Sequence, residues 1–270
     1  MRQRVTISGV EFDPIKQAAL LSAIERHIAK GKGSFLVFKP YVEFLAAAQK
    51  DPRVSELLNQ ADRVVADGVA VQWAASYLAG PTGVGRWLRS LIIDVQRSAW
   101  RNAVIPERGA GVTATRKLLE RAEELGWRVG ILGGPAETDQ TQVALMERFP
   151  KLQLVDVKSG YFDSNAESAL VTDLQKDRLD LLFVAMGFPR QEEFIVRHRS
   201  DRIAKVLVGE GGTFDYDELG GPLKRAPKWV RSIGFEWLWR LWQQPSRWRR
   251  QASIPRFLVA IYREGREKSR

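Results

Sequence analysis

Short, nearly continuous apolar runs recur along the chain, and the stretches between them carry apolar residues at helical spacing. A strand buried on both faces has no polar alternation, and its neighbour must be reached by a crossover, which is usually a helix. The runs Ser34–Phe38, Arg63–Ala66, Arg128–Leu132, Leu154–Val157, Leu179–Met186 and Lys205–Val208 therefore read as strands of one mostly parallel sheet. Ile15–Ile28, Ala114–Leu125 and Thr138–Phe149 read as covering helices, the second closed by Gly126 and the third stopped before Pro150. Thr6–Phe12, with Gly9 inside it, reads as an N-terminal hairpin. The expected class is α/β, a sheet flanked by helices.

The 270 residues carry a formal charge of +10, which attracts polyanions such as nucleic acid, anionic lipid or phosphorylated substrates. The absence of cysteine excludes disulfides, thiolate metal sites and cysteine nucleophiles. With two histidines, His27 and His198, a multi-histidine metal site is not expected, and both read as solvated helix-surface residues. No segment has the length of a transmembrane helix, and Met1-Arg-Gln-Arg is followed by no long apolar stretch, so a cytoplasmic protein is expected.

The charge is concentrated at one end. Lys224 to Arg250 holds eight Lys/Arg, one acid and five of the nine Trp. This divides the chain into residues 1–220, the α/β domain, and 221–270, a basic helical appendage. Ser232, Glu236, Arg240 and Gln243 share one helical face, with Phe235, Leu238, Trp239 and Trp242 on another. Ile254, Phe257, Leu258 and Ile261 form a second apolar stripe. Basic, Trp-rich amphipathic helices suit an anionic bilayer surface, and the plain alternative is a helix pair packed on the core. Pro81–Asn102, with Arg86, Trp87, Arg89, Leu91, Ile92, Trp100 and Arg101, is a second unusual block that suits a membrane contact.

Four strand ends carry candidate chemistry, because ligands of open α/β sheets sit at the carboxyl ends of the strands. Val64-Val65-Ala66-Asp67-Gly68 runs a strand into a carboxylate that can act as a general base; an Asp-Gly turn without chemistry is the alternative. Gly130-Ile131-Leu132-Gly133-Gly134 precedes a helix and offers N–H groups to a phosphate, or is simply a tight turn. Gly187-Phe188-Pro189-Arg190-Gln191 starts a helix with two side chains able to bond a nucleotide or sugar, or is plain helix-start chemistry. Val208 to Asp215 is a strand followed by glycines and a carboxylate. Asp215-Tyr216-Asp217 also reads as the D-x-D pattern of metal-dependent sugar-nucleotide enzymes, though it offers few ligands for a hard cation.

Taken in order, Ile7-Ser8-Gly9-Val10-Glu11-Phe12-Asp13, Asn59-Gln60-Ala61-Asp62, Asp67-Gly68, Leu132-Gly133-Gly134, Gly160-Tyr161-Phe162, Gly187 to Glu192, Gly209 to Asp215, Lys224 to Trp229 and Gly234-Phe235-Glu236-Trp237 resemble the WecG/TagA/CpsF family of bacterial glycosyltransferases over nearly the whole chain. The resemblance implies a Rossmann-like fold, inversion at the anomeric carbon, and no essential metal or cofactor. It implies a UDP-sugar donor of hexose or N-acetylhexosamine type and an acceptor saccharide on a polyprenyl diphosphate, used in cell-surface polysaccharide synthesis. It also implies a basic C-terminal segment that docks on the inner face of the cell membrane. A homo-oligomer is compatible with the sequence; nucleic acid is not an expected partner.

Carried over by position, Asp67 matches the proposed general base and Arg108 an arginine of the R-V-x-G element, here Arg108-Gly109-Ala110-Gly111. Gln191 and Asp215 match polar pocket positions, and Arg225, Arg240 and Arg247 are placed near diphosphate groups; the Gly133-Gly134 turn joins Arg108 as a candidate for meeting leaving-group charge. Three positions depart from the family: Val37 and Lys39 stand where T-x-N is usual, and Thr113 where an aspartate is usual; the block Pro81–Asn102 has no counterpart in its compact members. Two readings from other classes remain at this point. One is a nicotinamide-dependent oxidoreductase, which lacks the expected G-x-G-x-x-G, and the other a basic nucleic-acid-binding protein, which lacks any known binding signature.

Overall fold

The computed structural model describes residues 3–97, 104–107, 111–135, 138–232, 235–248 and 252–268. Strands β1 (Val5–Ile7) and β2 (Val10–Phe12) form the hairpin, in register Val5 with Phe12 and Ile7 with Val10. Its two-residue turn, Ser8-Gly9, has φ of 51° and 77°, the left-handed pair that matches strand twist in such turns.

Six parallel strands make the main sheet: β3 (Phe35–Phe38), β4 (Arg63–Val64), β5 (Arg128–Gly133), β6 (Gln153–Lys158), β7 (Leu179–Ala185) and β8 (Ala204–Gly209), in the order β4-β3-β8-β7-β5-β6. Every strand expected from the apolar runs is present, with ends within three residues. Successive side chains point to opposite faces, so each buried strand feeds two cores. Leu181 and Phe183 pack with Ile24, Leu119 and Leu145 on one side, whereas Leu182 and Val184 pack with Phe12, Trp73 and Ile195 on the other.

Helices α1 (Gln17–Lys30), α2 (Val42–Ala48), α3 (Pro52–Asn59), α4 (Val69–Leu78), α5 (Val84–Arg97), α6 (Gly111–Leu125), α7 (Thr138–Arg148), α8 (Ser164–Lys176) and α9 (Arg190–Arg197) cover the sheet. His198, at the end of α9, is not a solvated surface residue. It is 9% exposed, with Nε2 2.8 Å from Glu167 Oε1 and Nδ1 2.6 Å from Asp201 Oδ2.

Residues 221–270 do not act as a single appendage. The C-terminal helix, Ser253–Lys268, contacts α2 and α4 and buries Phe257 and Ile261 completely. Glu264 accepts from the Ser8 amide at 3.1 Å, and Trp87 donates its indole N–H to the Leu258 carbonyl at 3.1 Å. Its apolar stripe therefore belongs to the core, not to a bilayer. Short helices α10 (Lys228–Ser232) and α11 (Glu236–Gln243) are different, and α11 buries no residue. Among the described residues no helix is long and apolar enough to cross a membrane.

Of the Pro81–Asn102 block, residues 98–102 lie outside the described ones. Within α5, Trp87 reaches the C-terminal helix and Ser90 accepts from the buried Trp73 indole at 2.9 Å, while Val84, Leu88 and Ile92 face outward.

Candidate active site

A cleft of about 240 Å³ opens at the carboxyl ends of β4, β3 and β8 and is roofed by α10 and α11. Its wall includes Asp67, Gly68, Gly111, Glu210, Thr213 and Tyr216 from the sheet side, and Arg225, Arg231, Glu236, Trp237, Arg240 and Arg247 from the C-terminal side. The fold thus brings Asp67 together with three of the arginines that sequence comparison singled out.

Asp67 is placed by backbone bonds that prolong β4 beside β3. Val65 N donates to Phe38 O at 2.9 Å, and Asp67 N donates to Pro40 O at 3.1 Å. Gly68 follows at φ 86°, a conformation suited to glycine, and starts α4. Burial in the cleft pushes the Asp67 carboxyl up to about 6. The Lys39 ammonium opposes that rise, Glu236 and Glu210 add to it, and a hydrogen bond from the Gly68 backbone N–H opposes it. A carboxylate with a proton affinity near neutrality is suited to taking a proton during a reaction.

The arginines differ in how they are held. Arg225 is almost enclosed; it donates to Thr113 Oγ1 at 2.7 Å and pairs with Glu218 at 3.3 Å and Glu236 at 3.4 Å. Thr113, where the family usually has an aspartate, is thus still a partner of a cleft arginine. Arg240 pairs with Asp215 at 2.5 Å, donates to Gly212 O at 3.1 Å, and lies over the Tyr216 ring at 5.0 Å. Burial raises the Tyr216 hydroxyl, and Arg240 works against that rise. Arg247 Nη1 lies 3.5 Å from Gln244 Oε1. Arg231 did not stand out in the sequence among its basic neighbours. Its Nε is buried with no hydrogen-bond partner, although it lines the same cleft as Asp67.

Several expected contacts fall elsewhere. Gln191 is 2% exposed, and its amide is already used: Oε1 accepts from Gly187 N at 3.1 Å and Gly211 N at 3.0 Å, and Nε2 donates to Glu192 at 2.7 Å. It clamps two glycine turns and does not line the cleft. Gly134 N donates to Ala185 O at 2.9 Å, so that N–H is not free for a phosphate. At Gly133 an added Cβ would stand 2.5 Å from Ala185 O, so close strand packing is what requires that glycine. Asp215 does not line the cleft but pairs with Arg240, which does. Arg108 lies outside the described residues. Among the described residues no group of three or more His, Asp or Glu is arranged to hold a metal ion.

Glu192 lies next to Gln191, 1% exposed, and burial pushes its carboxyl up to about 8, with the Gln191 bond opposing. The folded state therefore keeps a proton that the unfolded chain releases above its ordinary 4.5. Glu192 imposes no penalty below that value, and one that grows as pH rises toward 8. Urea unfolding should show wild type losing on the order of 4 kcal/mol relative to Glu192→Gln between about pH 5 and pH 8. Parallel stability profiles would contradict this.

The outer face of the roof is apolar. Trp229, Val230, Phe235, Leu238, Trp239, Leu241 and Trp242 line a shallow groove, with Trp229 68% and Trp242 73% exposed. Glu236 and Arg240, one turn apart on α11, reach the cleft, while Leu238 and Trp242 face outward as the residue spacing implies.

The family model "Glycosyl transferase WecG/TagA/CpsF family" matches residues 5–87 and 92–270. Similar proteins include the N-acetylglucosaminyldiphosphoundecaprenol N-acetyl-beta-D-mannosaminyltransferases of Bacillus spizizenii, 27% identical across 99% of this chain and 94% of that protein, and of Bacillus subtilis, 25% identical across 98% and 94%. The Staphylococcus aureus protein of the same name is 28% identical across 98% and 94%. These matches displace the oxidoreductase and nucleic-acid readings. The chain belongs to the WecG/TagA/CpsF family and is a glycosyltransferase.

Proposed function

We propose that the protein transfers a hexose or N-acetylhexosamine from a UDP-sugar to a saccharide carried on a polyprenyl diphosphate, with inversion and without a metal. The observation that carries this reading is the cleft that joins Asp67 to four arginines. Asp67 takes the proton of the acceptor hydroxyl, that oxygen attacks the anomeric carbon in one displacement, and UDP departs. Departing diphosphate charge needs compensation, and guanidinium groups supply it directionally. The relatives are named for a lipid-diphosphate-linked N-acetylglucosamine acceptor, which supports the same class here.

The test is a panel of UDP-hexoses and UDP-N-acetylhexosamines with an undecaprenyl-diphosphate-N-acetylglucosamine acceptor, with and without EDTA. Acceptor-dependent UDP release, an inverted anomeric centre in the product and indifference to EDTA are expected. No turnover with any of these donors would overturn the reading, and loss of activity with EDTA would overturn the metal-free mechanism.

Arg231→Gln is expected to raise the KM of a substrate diphosphate about tenfold with little change in thermal stability, the scale of one charge-assisted hydrogen bond. Unchanged KM values for donor and acceptor would remove Arg231 from the substrate site.

We place the enzyme on the inner membrane surface through α10 and α11. Their exposed indoles, with the exposed Lys224 and Lys228 beside them, match an anionic lipid interface, and the same helices roof the cleft where a lipid-carried acceptor must arrive. Trp229→Glu with Trp242→Glu should weaken binding to phosphatidylglycerol-containing vesicles on the order of a hundredfold, roughly 1.5 kcal/mol per ring, without lowering the melting temperature. Unchanged vesicle binding would refute this docking face.

A further inference from the structure

β4, β3 and β8 are consecutive neighbours in the sheet, and each delivers a charged side chain at its carboxyl end. In spatial order these are Asp67, Lys39 and Glu210, an ammonium between two carboxylates. Lys39 Nζ is paired with Glu210 Oε1 and lies 3.5 Å from Thr115 Oγ1. No ion pair joins Lys39 to Asp67. The Lys39 and Glu210 side chains are 5% and 0% exposed, and Glu210 Oε2 is buried without a partner. Glu210 is fixed from behind by its backbone N–H, which donates to Val184 O at 2.9 Å.

A buried ion pair with an unsatisfied oxygen is a poor stabilising device, because an apolar pair of equal volume holds a fold as well or better. Its position beside Asp67 supplies another reason for it. Of the other groups facing Asp67, Glu236 comes from α11, and Arg225, Arg231, Arg240 and Arg247 from the C-terminal wall. Tyr41, Thr213 and Tyr216 line the near side, and the Gly68 N–H touches the carboxylate. Among the charged neighbours of Asp67, Lys39 exerts the strongest pull on its carboxyl, opposing the rise caused by burial.

We propose that Lys39 and Glu210 are positioning residues for the base: Glu210 tethers the Lys39 ammonium one strand away from Asp67, near enough to favour its carboxylate and held back from pairing with it. Direct pairing would stabilise the carboxylate so strongly that it would no longer accept a proton readily. This inference rests on the reading of Asp67 as general base.

The two partners then act in opposite directions. Lys39→Met removes the cation, so the acid limb of the kcat/KM profile should move up by about one pH unit or more. That is the Coulomb scale of a unit charge roughly 10 Å away at an effective dielectric of about 20. Glu210→Gln frees Lys39 to turn onto Asp67, so the limb should move down by a similar amount, with a lower plateau. Lys39→Arg should keep the limb near its wild-type position. If either single variant does not fold, the double variant Lys39→Met with Glu210→Leu fills the same space without charge and should move the limb up.

Profiles that lose height but keep the wild-type limb in the folded variants would overturn the proposal in favour of a purely structural pair, as would shifts in the same direction for Lys39→Met and Glu210→Gln. A wild-type limb that persists in Asp67→Asn is a different failure, because it would remove Asp67 as the base.

Discussion

Asp67→Asn is expected to lower kcat about 10²- to 10⁴-fold, the range that a positioned general base contributes. Asn has the same shape and can accept a hydrogen bond from the Gly68 N–H, but its amide cannot take the acceptor proton at neutral pH. Substrate binding should change little, because the cleft arginines stay in place, so the loss should fall on kcat more than on KM. In wild type, kcat/KM should rise with pH through about 6, where burial has moved the Asp67 carboxyl.

The same burial makes a stability prediction of known sign. The folded carboxyl holds its proton to about 6, against 3.8 for an ordinary aspartate. The group therefore imposes a penalty on the native state that is absent below about 4 and complete above about 6. Asp67→Asn removes that penalty and should unfold at or above the wild-type temperature at neutral pH. Near-normal turnover in this variant would dismiss Asp67 as the base, and a large fall in melting temperature would assign it a structural role instead.

Phe257→Ala is expected to destabilise the protein by about 3–5 kcal/mol, the usual result of emptying a fully buried aromatic site. Phe257 lies on the C-terminal helix, in the same core as Phe44, Trp73 and Tyr77. Equilibrium unfolding in denaturant, without lipid, measures this directly. A C-terminal segment whose only role is to meet a membrane would show no such loss, and its variant would fail in vesicle binding instead. Within residues 221–270 the last helix packs into the core, whereas α10 and α11 carry exposed indoles.

Much of the architecture was legible in the residue pattern, for local reasons. The six strands announce themselves because a strand buried on both faces must be apolar at every position. Ser8-Gly9 announces the hairpin because few residue pairs accept two left-handed conformations. Asp67 followed by Gly68, after an apolar run, placed a carboxylate at a strand's carboxyl end, and the structure puts it in the cleft. The spacing of Glu236 and Arg240 against Leu238 and Trp242 gave α11 its two faces.

Pairing between distant segments was not legible. Gln191 and Gly134 have the chemistry to bind a substrate, but each is already occupied by backbone groups of a neighbouring turn or strand. The Ile254–Ile261 stripe has the same apolar character whether it meets lipid or core, and only the docking of its helix against α2 and α4 decides between them. Arg231 looks like any other arginine of a basic tail until its Nε is found buried in the cleft without a partner.

The sheet, the hairpin, the family and the placing of Asp67 at a strand's carboxyl end follow from the residue order, because each depends on periodicity, turn chemistry or a short motif within one segment. Only the packing of distant segments settles which polar groups remain available and what surrounds Asp67. Those depend on β4, β3 and β8 lying side by side, which sets Asp67, Lys39 and Glu210 in a row although Glu210 lies far along the chain from the other two. A side chain's proton affinity and free hydrogen-bonding capacity are properties of its neighbours in space, and no local pattern records them.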